Sequence, residues 1–400
     1  MVMVSLALLM AIITEMSTKE TVRYKLAINE RDALAAEALA QSGANFSQLI
    51  LTVQEPLQTY MANFAKMGIE LPAYTIWQLM PIDSDLLKGI TDGSFLPTLD
   101  ILKNDEDTKP SEPQASVVET EKTPLFGKYV APEGGYGGFR GRFSVEIEDE
   151  ERKISIRGWP KKNSPEQKII ADQIFRILSK PENSILFDGS TGDNRNIRPG
   201  QLVGNIYDYI SDGERAVDIT APAERWGRDT VGDKRALYND PTNVQPKRAP
   251  MDSIAELRLV PGMTDAIFSV LSKVITIYGE SDKINVLSAP DEVLASIFFV
   301  CAKNKDAGPF QQLGFDAKLL EEWNRKKSLG ELNISSEGII SFLEENNVEV
   351  DKDQCLKNTG AESKTFSVRS TATVGTVTKT LLVRLRSAAG MTTLYQFQYL

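Results

Sequence analysis

Acidic side chains are concentrated between residues 208 and 240, and their type and spacing make them candidates for metal binding or catalysis. Gly213, Pro222 and Gly227 interrupt the stretch and predict a loop. Carboxylates on a loop are ligands that hard cations such as Ca²⁺ prefer, although the twelve-residue spacing of an EF-hand is absent. The acids are Asp208, Asp212, Glu214, Asp218, Glu224, Asp229, Asp233 and Asp240.

The same acids have two other interpretations. On chemistry alone, a solvated acidic loop without a ligand is the simplest. A pair of carboxylates could also hydrolyse a glycosidic bond. However, the sequence shows no groove of aromatic side chains with polar partners around these acids, so we do not favour a hydrolase.

The composition excludes several classes of protein. The chain of 400 residues has no histidine, which removes Ser-His-Asp and Cys-His catalysis and most zinc sites. A net charge of −10 disfavours nucleic acid as a partner. The two cysteines, Cys301 and Cys355, are too far apart for a CxxC redox pair. They could form one disulfide in an oxidising compartment, but two separate thiols are the simpler expectation.

The first thirteen residues are uncharged, and the helical pattern continues from them into a polar region. A spanning helix needs about 20 apolar residues, so this run is short for one. A signal peptide would need a basic leader and a small-residue cleavage site, and neither is present. A buried core helix fits the length, but the run is apolar on all faces. We favour a membrane helix whose first residues are missing.

Periodicity along the rest of the chain predicts an α+β fold. A helical block lies between β-like segments, which indicates an inserted helical domain between strands of one antiparallel sheet, with the long N-terminal helix packed on that sheet. Residues 139–157 alternate around a charged turn and predict a β-hairpin or a strand pair. The predicted segments are a transmembrane segment 1–20, a long helix 14–60, a first α/β part 61–158 with a mobile loop 103–124, an inserted helical domain 159–350 with the acidic loop 205–245, and C-terminal strands 351–400.

Two short motifs lie in the helical block. The sequence LVPGM at residues 259–263 is typical of a helix-hairpin-helix turn, with Gly262 allowing a tight reversal. Ser288 is a candidate N-cap for the next helix, with Pro290 in its first turn. Such hairpins often bind DNA phosphates, but residues 250–302 carry seven acids and three bases, a local balance of −4. A structural helix-hairpin-helix or SAM-like domain is therefore favoured. The alternative is a membrane-anchored periplasmic DNA-binding protein of the competence type that uses these hairpins.

Several segments together resemble a family of minor pseudopilins, the general secretion pathway protein K family of the bacterial type II secretion system. The strongest are ELRLVPGMT and, after it, KINV followed by APDEVL. The other segments that carry the resemblance are NERD and ALAQSG on the long helix and GNIYDYISD at residues 204–212.

This resemblance implies a non-enzymatic subunit at the tip of a periplasmic pseudopilus. Its partners would be other minor pseudopilins, the major pseudopilin and the inner membrane, with a single-pass anchor, the body in the periplasm and no nucleic acid. It also implies calcium as a cofactor. The implied calcium ligands are Asp208, Asp212, Glu224, Asp218 and Asp229. The apolar side chains implied to pack against neighbouring subunits are Leu6, Leu8, Leu9, Ile12 and Ile13.

Overall fold

A computed structural model of the chain divides it into two compact units. The first unit comprises Met1–Glu148 with Ser367–Leu400, and the second is Asp149–Phe366. The second unit is therefore an insertion between two parts of the first. The described residues are 2–66, 77, 81–91, 141–162, 164–188, 197–213, 215–217, 230–233, 245–303, 309–312, 314–388 and 391–399.

The α+β class predicted from the sequence is confirmed, since long and short helices accompany an antiparallel sheet. The described α-helices are α1 (Val2–Lys66), α2 (Ser84–Thr91), α3 (Ser164–Leu178), α4 (Pro199–Ile210), α5 (Asp265–Val274), α6 (Asp291–Cys301), α7 (Phe315–Ser328), α8 (Ser336–Glu345) and α9 (Lys352–Asn358). Short 3-10 helices are found at Trp159–Lys161, Pro181–Phe187, Ile254–Leu259 and Pro309–Gln311.

The strands form one larger sheet and three short pairs. The described strands are β1 (Ile82–Asp83), β2 (Gly141–Asp149), β3 (Ile154–Ser155), β4 (Arg215–Val217), β5 (Thr230–Asp233), β6 (Ile275–Thr276), β7 (Ile284–Asn285), β8 (Thr359–Gly360), β9 (Thr365–Val374), β10 (Val377–Ala388) and β11 (Met391–Tyr399). The five-stranded sheet has the order β1-β2-β9-β10-β11, with β1 antiparallel to β2 and β10 antiparallel to β11. The pairs β3-β6, β4-β5 and β7-β8 lie in the inserted unit, which the sequence predicted to be all-helical.

Among its described side chains, helix α1 packs against the five-stranded sheet between Asp32 and Gln54. Burial begins at Asp32 and continues through an alanine-rich stretch. Small side chains let the helix approach the sheet closely, where the alternating residues of β10 supply the apolar face. The buried residues on the two sides are Ala35, Ala36, Leu39, Ala40, Ala44 and Leu51 on the helix, and Leu381, Val383 and Leu385 on β10.

Gly43 lies at a close approach of α1 to the sheet. A Cβ atom at this position would lie 2.9 Å from the Phe143 ring and 3.0 Å from Val145, and it would also meet the Ser370 hydroxyl. We therefore expect Gly43→Leu to lower the free energy of unfolding of the first unit by about 3 kcal/mol through overpacking. Urea unfolding followed by far-ultraviolet circular dichroism measures the change. The matched control is Asn45→Leu, because Asn45 is exposed on the same helix; equal losses in the two variants would contradict the close approach.

The inserted unit has its own hydrophobic core. Helix α6 lies at its centre, with eight of its eleven residues buried. Phe298 of this helix contacts Trp323 and Phe342 with ring centroids 5.6 Å away in each case, and Trp323 and Phe342 are 5.1 Å apart. Such aromatic contacts add to the free energy gained from burying apolar area.

A disulfide joins Cys301 at the end of α6 to Cys355 in α9, with the Cα atoms 4.6 Å apart. The expectation of two separate thiols was therefore wrong. The fold brings the cysteines together because α9 packs on α6, and backbone hydrogen bonds hold the segments on each side. The Asp351 N–H donates to the Cys301 carbonyl at 2.8 Å, and the Lys303 N–H donates to the Glu349 carbonyl at 2.8 Å.

The predicted hairpin at residues 139–157 and the predicted helix cap at Ser288 are both wrong. Residues 139–157 do not form a hairpin: β2 pairs within the larger sheet, while β3 pairs with β6 in parallel. Ser288 does not cap α6, whose N-cap is Pro290. The predicted mobile loop 103–124 lies outside the described residues. Helix α1 is continuous through the predicted segments 1–20 and 14–60.

Candidate functional site

The first half of α1 is exposed, in contrast to the half that packs on the sheet. Every described side chain from Met3 to Arg31 is exposed except Ile28, which is half-buried. At 1.5 Å per residue this part of the helix is about 45 Å long. Apolar side chains dominate its beginning, and further apolar side chains, such as those of Val22, Tyr24 and Leu26, follow along it. The exposed half therefore has no partner within the described part of its own chain.

The five side chains predicted to contact neighbouring subunits form one face of this exposed half. Their exposed fractions lie between 53% and 60%. At 100° per residue they cover a continuous arc of about 160° around the helix. Thr18 lies outside that arc and is also exposed. These five residues, which we call the apolar face of α1, are Leu6, Leu8, Leu9, Ile12 and Ile13.

Among the described residues, no helix combines the length and the apolar character that crossing a membrane requires.

The predicted calcium ligands are only partly described. Asp208 lies inside α4 and is fully buried. The predicted acidic loop 205–245 is therefore wrong for its first residues, up to the end of this helix at Ile210. Asp212 follows the helix and is exposed. Asp218, Glu224 and Asp229 lie outside the described residues. Within the described ranges, no three acidic, cysteine or histidine side chains meet in a way that could hold a metal. Calcium thus stays a prediction.

The predicted tight turn at Gly262 is confirmed by its φ of +83°, which favours glycine. A Cβ atom here would also collide with the side chain of Ile197. Asn205, which is buried in α4, donates its amide to the Pro261 carbonyl at 2.9 Å. The element before the turn is a 3-10 helix rather than an α-helix. This turn is thus held against the unit's own core.

A buried carboxylate cluster, Asp149, Glu150 and Glu151, lies where the charged turn was predicted. Their exposed fractions are 0%, 3% and 2%. The Asp149 carboxylate accepts hydrogen bonds from the hydroxyls of Ser288 and Ser363. It also accepts one from the Asn285 amide at 2.9 Å and one from the Glu151 N–H at 2.9 Å. Four donors therefore surround one carboxylate.

The other two carboxylates connect the first residues of the inserted unit to its last residues. Glu151 accepts from the backbone N–H of Thr365 at 2.9 Å and from that of Glu280 at 3.2 Å. Glu150 accepts from the Thr276 hydroxyl. The Glu150 N–H donates to the Thr365 carbonyl at 3.0 Å. The cluster thus closes the unit at the point where the chain enters and leaves it.

Burial raises the pKa of Asp149, and the hydrogen bonds that the carboxylate accepts oppose this rise. Burial also raises the pKa of Glu151, and the Asp149 carboxylate contributes to that shift. A carboxylate with a raised pKa beside two serine hydroxyls could in principle act as a base. Because Asp149 is completely buried, a substrate has no access to it, and the cluster is suited to holding the chain in place.

Sequence analysis missed this cluster, although a signal was present. Phe143, Val145, Ile147 and Asp149 alternate along β2, so a strand continued by two residues places Asp149 on the same face as the core residues. The acids were instead assigned to an exposed turn because charged residues are mostly exposed. A buried acid at the end of an alternating strand is the pattern that would have identified it.

The arrangement of α1 on the antiparallel sheet defines a pilin-like α+β protein with a large insertion. No protein-family model matches the chain, and no curated protein matches it. A solved structure that is similar to it is the GspK-GspI-GspJ complex from the enterotoxigenic Escherichia coli type 2 secretion system. The identity is 16%, the match covers 65% of this chain and 80% of that chain, and the TM-score is 0.44. A likeness of this size does not assign the chain to a family, and the fold described above follows from its own geometry.

Proposed function

We propose that this chain is a minor pseudopilin that assembles with other pseudopilins through the exposed half of α1. One observation carries the proposal: a single 65-residue helix is packed on an antiparallel sheet along its second half and presents an apolar face along its first half. The sequence segments that resemble the K family of type II secretion pseudopilins support the same assignment. The partners would be other minor pseudopilins and the major pseudopilin.

The apolar face of α1 has a physical reason to be covered. Apolar area removed from water contributes roughly 25 cal/mol per Å², so fully burying a leucine or isoleucine is worth about 1.5–3 kcal/mol. The five side chains of the face are already partly covered by their own helix. Burying the remainder against neighbouring helices would contribute roughly 5 kcal/mol in total. In the bilayer the same face would contact lipid before assembly and helices afterwards.

The disulfide supports a location outside the cytoplasm. Disulfides persist in oxidising compartments such as the bacterial periplasm, where cytosolic reductants do not act. Cys301 and Cys355 are both fully buried, and the bond joins two helices of the inserted unit. We therefore place the body in the periplasm, with the beginning of α1 anchored in the inner membrane in a single pass.

The inserted unit supports a position at the tip. It makes up more than half of the chain, has its own core and carries its own disulfide. A subunit with a body of this size on one helix would occupy the end of a filament, because stacked copies need room for each body. The protein would then act as a cap and not as a repeating unit.

Charge placed on the apolar face tests the assembly step. We expect Leu9→Asp with Ile13→Asp to reduce the co-purification of small pilin-like proteins from a detergent extract at least tenfold, because assembly would bury two unpaired carboxylates. Quantitative mass spectrometry of the co-purified proteins measures the effect. The control is Thr18→Asp, which places a carboxylate on the same exposed half but outside the face.

Both variants add charge to the exposed half of α1. A general effect of charge on the helix would therefore appear in both, whereas a loss of assembly would appear only in Leu9→Asp, Ile13→Asp. Recovery of partners must remain near the wild-type level in the control. Unchanged recovery in the Leu9→Asp, Ile13→Asp variant would contradict assembly through this face. Measuring each variant in the membrane fraction as well shows whether lost partners follow from lost anchoring.

A further inference from the structure

A cleft of about 850 Å³ opens in the inserted unit. Residues of α3 and α9 line it, together with residues of the short strands β3 and β7. Its volume lies within the range of known ligand sites, which combine apolar walls with a few placed polar groups. All the lining residues belong to one compact unit.

The floor of the cleft is aliphatic. Ile154, Ile170 and Ile284 line it with exposed fractions of 1%, 8% and 5%. Their side chains come from β3, α3 and β7, so the floor is fixed by three separate elements. A surface of this kind favours an apolar side chain over a polar one, because the buried floor offers dispersion contacts without hydrogen bonds.

Gln173 of α3 supplies a donor that lacks an acceptor. This residue lines the cleft and is only 3% exposed, and its Nε2 atom has no hydrogen-bond partner in the part of the chain that the structure describes. Gln167 on the same helix is different, since its amide donates to the carbonyls of Pro160 and Lys162. Buried polar groups are almost always paired, so an orphaned amide in a cleft points to a ligand with an oxygen acceptor.

The rim of the cleft is acidic. Four carboxylates and two ammonium groups line the cleft, and one ammonium group, that of Lys162, is already paired with Asp282. The lining residues therefore carry an excess of two negative charges, to which Asp351 and Asp353 contribute. This balance attracts a cation and repels a carboxylate, so the acceptor that reaches Gln173 should be a neutral carbonyl.

We propose that this cleft binds an extended peptide segment of a partner protein. An aliphatic side chain of the segment occupies the isoleucine floor, and a backbone carbonyl accepts from the Gln173 amide. A lysine or arginine next to the aliphatic residue reaches the acidic rim. The inference does not depend on assembly through α1, because no residue of α1 takes part.

Three capped tetrapeptides test the proposal on the full chain. The probes are acetyl-Gly-Leu-Lys-Gly-amide (Leu-Lys), acetyl-Gly-Leu-Glu-Gly-amide (Leu-Glu) and acetyl-Gly-Ser-Lys-Gly-amide (Ser-Lys). Binding is measured by NMR titration of the glutamine side-chain amide signals, with the Gln173 signal assigned from its loss in Gln173→Leu. We expect the Leu-Lys peptide to shift the Gln173 signal and to bind at least tenfold more tightly than either analogue. Equal binding of the three peptides, or no binding, would overturn the proposal.

The variant Gln173→Leu distinguishes a ligand site from a merely structural glutamine. We expect it to bind the Leu-Lys peptide at least tenfold more weakly and to melt at a higher temperature, because it removes an unsatisfied buried donor. Gln167→Leu is the stability control and should melt at a lower temperature, since it loses two hydrogen bonds. Full binding by Gln173→Leu would exclude the proposed contact.

A charge reversal on the rim keeps the proposal testable even if Gln173→Leu does not fold. Asp353 is exposed, so Asp353→Lys leaves the core unchanged. We expect this variant to lose the preference for the Leu-Lys peptide over the Leu-Glu peptide. Glu331→Lys is the control, because Glu331 is exposed and is not among the residues lining the cleft. An unchanged preference in Asp353→Lys would show that the rim does not select the cation.

Discussion

The Asp149→Ala variant should lose about 4 kcal/mol of the free energy of unfolding of the inserted unit, because buried donors would be left without their acceptor. Asn285 and the Glu151 N–H are the most affected, since both are buried. The two serine hydroxyls are half-buried and can turn towards other acceptors. Urea unfolding followed by tryptophan fluorescence measures the loss, because Trp159 and Trp323 are fully buried in this unit.

Two comparisons separate the hydrogen bonds of Asp149 from its charge and size. Asp149→Asn keeps the volume and mimics the neutral carboxyl that burial favours, so it should lose less stability than the alanine variant. Glu146→Ala removes an exposed carboxylate from the same strand and should change stability by less than about 0.5 kcal/mol. A small loss in both Asp149 variants would show that the cluster does not hold the unit.

The raised pKa of Asp149 also fixes the direction of the pH dependence. The folded state keeps the Asp149 proton to a higher pH than the unfolded state does, since burial disfavours the charged carboxylate. Stability therefore falls as the pH rises through the raised pKa, and the contribution of Asp149 is fully present below the pKa of the unfolded state. The difference in unfolding free energy between the wild type and Asp149→Ala should accordingly be larger at a lower pH than at a higher pH.

The elements that the sequence predicted well are those with long and regular patterns. Helix α1 has no glycine before Gly43, and its pattern persists for many turns. The C-terminal segments predicted to be strands form β9, β10 and β11, and Gly375 has a positive φ in the short connection between β9 and β10. In these segments the local sequence preference and the tertiary packing favour the same secondary structure, so the sequence alone predicts it.

The buried carboxylate cluster could not be predicted in the same way, because its partners are distant in sequence. Asp149 is 139 positions from Ser288 and 214 positions from Ser363. A single sequence does not reveal that these hydroxyls meet the carboxylate, and so the acids were given the exposed position that charged residues usually take. The same distance explains Ser288, which was predicted to cap a helix but donates to Asp149 instead.

Gln173 poses a related problem for prediction. Its position on α3 indicates which face of the helix it occupies, and Gln167 lies on the same helix. What separates the two glutamines is the carbonyl groups within reach. Those of Pro160 and Lys162 accept from the Gln167 amide, whereas the Nε2 atom of Gln173 has no acceptor among the described residues. The distinction depends on the turn before α3, whose backbone conformation no periodicity predicts.

The disulfide was underestimated for a different reason. Two cysteines separated by 54 positions can be paired or separate, and the choice depends on whether α6 and α9 pack together. The structure supplies the missing contacts. Besides the backbone hydrogen bonds on each side, the Gln354 amide donates to the Val300 carbonyl at 2.8 Å. The covalent bond thus joins segments that noncovalent contacts already hold together.

Replacing both cysteines, Cys301→Ala with Cys355→Ala, should lower the free energy of unfolding of the inserted unit by about 4 kcal/mol. In the chain-entropy model, the bond restricts the unfolded chain over the 54 positions between the cysteines. The folded state should change little, because the hydrogen bonds between α6 and the segment before α9 remain. Urea unfolding of the oxidised wild type and of the double variant gives the difference.

Reductant supplies the matching control, because it acts only where the bond exists. Wild-type protein unfolded in the presence of a thiol reductant should fall to the stability of the double variant, whereas the double variant should be indifferent to it. Both sulfur atoms belong to fully buried residues, so reduction should require unfolding and be slow under native conditions. Equal stability of the wild type with and without reductant, once reduction is complete, would contradict the role of the bond. A bond that contributes no stability would also give the protein no reason to need an oxidising compartment.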